Sequence, residues 1–172
     1  MNALLDARSL RLPAYAWTLF GALTATALDL AFAAIYWEVQ GYPGLRVMQA
    51  IAAYWGWGRD AYDGGAATAL LGMGLFLGRM VLLAAVYQWA ARRFSALVEH
   101  PYLCGGLFGA SIYLSNRFLV VPLIDSMPPS TRPEDWLWTG ACVVAHMILI
   151  GITLALTAKI AIAAEPRGRV SR

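Results

Sequence analysis

Charge is scarce in this sequence. Only 13% of its 172 residues are Asp, Glu, Lys or Arg, whereas 60% are hydrophobic, and the mean hydropathy is +0.59. A soluble domain of this size would have too little polar surface to stay dispersed, so lipid is the solvent that this composition fits. Cysteine is equally sparse. Cys104 and Cys142 are the only two, and on the topology derived below they lie at opposite depths of a bilayer, roughly 15 Å or more apart by helix rise. That separation excludes an internal disulfide. It also excludes a quinone-linked thiol oxidase, which needs adjacent cysteine pairs.

Catalytic signatures are missing as well. There is no HExxH for an intramembrane metalloprotease and no Gly-rich phosphate cradle followed by Lys. A Ser nucleophile flanked by Gly is lacking, which argues against rhomboid-type proteolysis. Two histidines gripping a haem would have to face each other, yet His100 belongs at one interface and His146 in the opposite half of the bilayer. The expectation is a non-enzymatic protein with no cofactor and no metal site. The net charge of +3 and pI near 9.1 do not indicate nucleic acid, because the basic residues form short clusters beside apolar runs. That placement is a topology signal.

What the sequence does have is long apolar runs. Gly65 to Ala91 holds a single charge, Arg79, near its middle, and at about 1.5 Å per residue it crosses a hydrocarbon core of about 30 Å. Three further runs follow the same logic. The predicted fold is an all-α polytopic membrane protein with four transmembrane helices, at about 13–37, 66–91, 102–124 and 136–162. A short amphipathic interfacial helix is predicted at about 44–56, and basic tails at 1–12 and 165–172. In the amphipathic helix Leu45, Val47, Met48, Ile51, Ala52 and Trp55 fall on one side, with Arg46, Gln49 and Ala53 on the other; Gly56 and Gly58 end it. A re-entrant segment capping the bundle is the alternative. Trp17, Tyr36, Trp37, Trp136 and Trp138 mark membrane interfaces. The N-terminal run continues past the length of a signal-peptide core and reads as a retained span.

The positive charges set the expected orientation. Arg8, Arg11, Arg92, Arg93, Lys159, Arg167, Arg169 and Arg172 fall on one side, and Arg46, Arg59 and Arg132 on the other. Both termini are therefore expected in the cytoplasm, with the amphipathic segment and the Pro-rich loop outside.

Two sets of residues inside the apolar runs stand out. Gly74 and Gly78, and again Gly105 and Gly109, have the GxxxG spacing that lets helix backbones approach closely. Asp29, Arg79, Asn116, Arg117 and His146 are polar groups at bilayer depth, each costly alone and less so together. The simplest arrangement is a buried network in which Asp29 bridges one or both arginines and Asn116 and His146 complete it. Its excess positive charge would attract an anionic ligand, a lipid headgroup or an acidic partner residue. In the alternative, Arg117 snorkels out to Asp125, Glu134 or Asp135, and Asp29 with Arg79 forms a structural pair that fixes helix register.

Leu28-Asp29-Leu30-Ala31, Gly-Tyr-Pro-Gly at 41–44 with Arg46 and Gln49, Gly64 to Gly72, Asn116 before Val121-Pro122, and Ala145-His146 before Gly151 follow one another in order. In this order the chain resembles small four-span bacterial inner-membrane proteins, loosely similar to the YagU-like family. The resemblance implies fold and an inner-membrane location and carries no activity. Two functions remain open: a structural or accessory subunit that packs against itself or a larger membrane complex through its glycine faces, and a small transporter or ligand-binding protein built on the polar network.

Overall fold

The computed structural model describes residues 13–124 and 135–164, and every regular element among them is helical. The chain runs through α1 (Ala14–Val39), α2 (Leu45–Ala52), α3 (Gly65–Ala91), the short α4 (Ala96–Glu99), α5 (Pro101–Ile124) and α6 (Trp136–Ala164). Helices α1, α3, α5 and α6 have 26, 27, 24 and 29 residues and are long and apolar enough to cross a membrane. Even the shortest of them rises about 36 Å, more than a hydrocarbon core of about 30 Å. The fold is all-α, as composition and run length require. The two basic tails, and Asp125, Arg132 and Glu134 in the third loop, lie outside the described residues.

Helix α6 is the centre of the bundle. Its middle packs on α5, its second half on α1, and the same half also touches α3; α3 in turn packs on α1 and α2. Lipid gives helices no hydrophobic reason to associate, so tight packing must come from close backbone approach. Glycine supplies it. A Cβ built on Gly105 would lie 2.7 Å from the Gly151 carbonyl oxygen, and one on Gly109 would overlap the His146 carbonyl. Between α1 and α6, Gly21 meets the Thr157 hydroxyl in the same way, beside the fully buried Ala22 and Ala25. Met80, Ile150 and Leu154 fill the interior behind these crossings.

Polar pairs hold the ends. At the end where α1 finishes and α6 begins, Trp138 stacks on Phe32 with ring centroids 5.9 Å apart and meets Tyr36 at 4.4 Å and Trp37 at 5.2 Å. The first-turn N–H of Trp138 donates to Asp135 Oδ1 at 3.0 Å, which caps α6. At the opposite end the buried Gln88 of α3 pairs with Thr18 and donates to the Ala14 carbonyl of α1.

The segment after α1 departs from its predicted orientation. Gln49 and Ala53, assigned from the sequence to the polar side, are buried, while Leu45 and Trp55 from the apolar side are 47% and 43% exposed. The reason is local. Gln49 Nε2 donates to the Gly65 carbonyl at 3.0 Å, and the Thr68 hydroxyl donates to the Ala61 carbonyl at 2.6 Å. Once satisfied, the amide can be buried without an unpaired polar group. Met48 and Ile51 still pack on the core. Helix α2 also lies backbone to backbone on α3, because a Cβ at Gly72 would overlap the Met48 carbonyl. Left-handed backbone at Gly56 (φ 110°) and Gly58 (φ 56°) then turns the chain back towards α3.

Three helical stretches widen into π turns: Ala53–Trp57, Asn116–Val120 within α5 and His146–Ile152 within α6. Two of the three begin at a polar residue singled out in the sequence, Asn116 and His146. No feature of the apolar pattern announces such a turn, and turns of this kind occur frequently at functional sites.

Candidate functional site

Asp29 lies on the face of α1 that turns towards α6, beside Thr26 one helical turn earlier. Both are 6% exposed. Across from them, His146 opens the π turn of α6 and is 9% exposed. Its Nδ1 lies 3.0 Å from the Cys142 carbonyl oxygen and 3.5 Å from Asp29 Oδ1. A carbonyl only accepts, so Nδ1 carries the proton and donates to the Cys142 carbonyl. At 3.5 Å the carboxylate is in contact but not hydrogen-bonded. Asp29 Oδ1 and the Thr26 hydroxyl are thus buried without a hydrogen-bond partner. Tyr113 of α5 closes the site, its ring edge-on to the imidazole with centroids 5.1 Å apart.

The predicted bridge from Asp29 to the arginines does not form as a contact. Among the described residues, the close polar contact of Asp29 is with His146. Arg79 acts on both Asp29 and His146 electrostatically, but it makes no hydrogen bond or contact pair with them. The packing of α3 explains this. Its buried face runs through Ala69, Gly72, Phe76, Met80, Ala84 and Tyr87. Arg79 precedes Met80 and is therefore turned about 100° off that face. The half-buried guanidinium lines the flank of the bundle instead of its centre.

Asn116 and Arg117 are half-buried at the π turn of α5. Arg117 has an interaction partner of its own. Of the proposed partners for an outward-reaching Arg117, Asp125 and Glu134 lie outside the described residues. Cys104 and Cys142 are both free. No group of three or more His, Cys, Asp and Glu side chains among the described residues is arranged to hold a metal ion. Sequence reasoning missed Thr26, Tyr113 and Gln88. Thr26 had a signal, since it lies three residues before Asp29 on the same helix face. Tyr113 had none beyond its position in an apolar run.

The two glycine pairs have different surroundings. Gly105 and Gly109 are buried at the α5–α6 crossing, whereas Gly74 and Gly78 are exposed and would meet nothing within 4 Å if given a Cβ. They floor a groove of about 650 Å³ along α3, walled by Trp55, Leu70 and Leu82 and edged by Arg79. No family model, curated protein or solved structure matches the chain.

Proposed function

We propose that this chain is a multi-pass protein of the bacterial inner (cytoplasmic) membrane that acts as a non-enzymatic structural or accessory subunit, docking a membrane partner along α3. One observation carries this reading: Gly74 and Gly78 lie exposed, with open space beside them, on a helix whose other face packs into the fold. A paired-glycine face with no neighbour inside the chain is suited to a second helix from outside it. The resemblance to four-span, loosely YagU-like proteins supports the location. Arg92, Arg93 and Lys159 fall at one end of the bundle and Arg46 and Arg59 at the other; with the basic tails counted, this supports cytoplasmic termini.

Native mass spectrometry of the protein, extracted gently from its host membrane, tests the reading. The expected result is a stoichiometric partner subunit that disappears with the double substitution Gly74→Leu and Gly78→Leu. A lone chain in both samples contradicts it.

A second reading has an observation of its own. Buried acceptors without donors at Asp29 and Thr26 suit a small transporter or ligand-binding protein, in which Asp29, Arg79, Asn116, Arg117 and His146 surround a passing ligand. Under that reading the same spectra hold a lone chain or homodimer with a small bound ligand that carries hydrogen-bond donors, lost when Asp29 is replaced.

A further inference from the structure

We infer that the occupant of the α3 groove is a transmembrane helix of a different protein, carrying an Asp or Glu carboxylate that pairs with Arg79. The inference rests on the accessory-subunit reading and adds the chemistry of the partner.

Position supplies the first step. Arg79 is fourteen residues from the start of α3 and twelve from its end, so about 18 Å or more of helix separates it from either helix end. Snorkelling relieves arginines near helix ends, and this one is at the middle. The second step is its lack of a partner: among the described residues its guanidinium makes no hydrogen bond and no contact ion pair, and Asp29 acts on it only through space. Five N–H donors at bilayer depth without acceptors cost several kcal/mol against a lipid-facing surface, and a carboxylate presented in the plane of the fork removes that cost.

The third step is access. Gly78 adjoins Arg79, and Gly74 lies one turn further on, so an arriving helix backbone can settle against α3 beside the guanidinium. Leu70 and Leu82, each 64% exposed, flank it along the axis, and Trp55 stands at the side. A second copy of this chain does not fit the charge. Two α3 helices crossing at their glycines would bring two arginines together, and Asp29, the acidic residue at comparable depth, is already buried against His146.

The test uses the full chain in phosphatidylcholine vesicles with an acceptor fluorophore at its C-terminus. The probes are donor-labelled synthetic transmembrane peptides of about 22 residues, Leu/Ala throughout, with a central Asp, Leu or Lys. The Asp peptide is expected to associate at least about tenfold more tightly than the Leu peptide, and the Lys peptide more weakly than either. Arg79→Gln should abolish the difference between peptides while leaving helicity and thermal stability unchanged. Because the contrast is already present in the unmodified protein, a variant that fails to fold does not remove the test.

Equal association of Asp and Leu peptides, both weakened by Gly74→Leu and Gly78→Leu, overturns the carboxylate pairing and leaves the docking face standing. No association of any peptide, with or without the glycine substitutions, overturns both. Loss of the Asp preference when phosphatidylglycerol is added identifies a lipid phosphate as the occupant of Arg79 and also overturns the inference.

Discussion

The α5–α6 crossing and the outer face of α3 contain the same motif and use it in opposite ways. At the crossing, Gly105 and Gly109 meet Gly151 and His146 backbone to backbone, and no atom can be added. On α3, Gly74 and Gly78 at the same spacing face open space beside Arg79. GxxxG therefore states that a helix can be approached closely, but the remaining residues of the helix decide from which side. On α3 the bulky core residues Phe76 and Met80 fix the inner face, and the glycines are left outside.

Breaking the crossing should have the largest effect. In Gly109→Val, a branched side chain would have to enter space held by the His146 backbone, which cannot withdraw as a flexible side chain would. The expected cost is about 3 kcal/mol or more, at the upper end of overpacking penalties. Thermal unfolding in detergent, followed by circular dichroism, should show loss of the cooperative transition. A transition within a few degrees of the parent would show that the crossing is not the clamp of the fold.

The inner edge of α3 should respond less. Gln49→Leu removes the donor to the Gly65 carbonyl and exchanges a satisfied amide for an apolar group. A loss of about 1–2 kcal/mol is expected. Faster hydrogen exchange in the first turn of α3 would accompany it, and unchanged protection there would refute the tie between α2 and α3.

The outer face should gain. Gly74→Ala and Gly78→Ala meet no neighbour, and each replaces glycine in a helix interior, so each should raise the stability of the isolated protein by about 0.5–1 kcal/mol. Destabilisation by either would mean that α3 uses this face within the chain. Arg79→Leu should have the smallest net effect on the isolated protein, because relieving an unpaired guanidinium at bilayer depth and losing its through-space attraction to the buried Asp29 oppose each other. A loss of several kcal/mol in the same unfolding measurement would place Arg79 in the fold.

The sequence made some of this legible. Long apolar runs announce the four membrane-length helices because their length is imposed by the thickness of a bilayer rather than by any partner. The Tyr36, Trp37 and Trp138 anchors likewise follow from the chemistry of an interface, although their assembly into one cluster with Phe32 does not. Features that depend on pairing were hidden. Gln49 looks solvent-facing until the Gly65 carbonyl is placed beside it. Charge alone pairs Asp29 with an arginine, whereas packing pairs it with His146 and turns Arg79 off the core face of α3. The π turns at Asn116 and His146 leave no trace in hydropathy.

The most direct test of the docking face is photo-crosslinking in the host membrane. Leu82 borders the α3 groove and Leu107 lies on α5; at 64% and 61% exposure they are matched except for their surroundings. A photoactivatable leucine analogue at position 82 should give one discrete protein adduct, lost with Gly74→Leu and Gly78→Leu. The same analogue at position 107 should give lipid adducts. Lipid adducts alone from both positions would contradict the account.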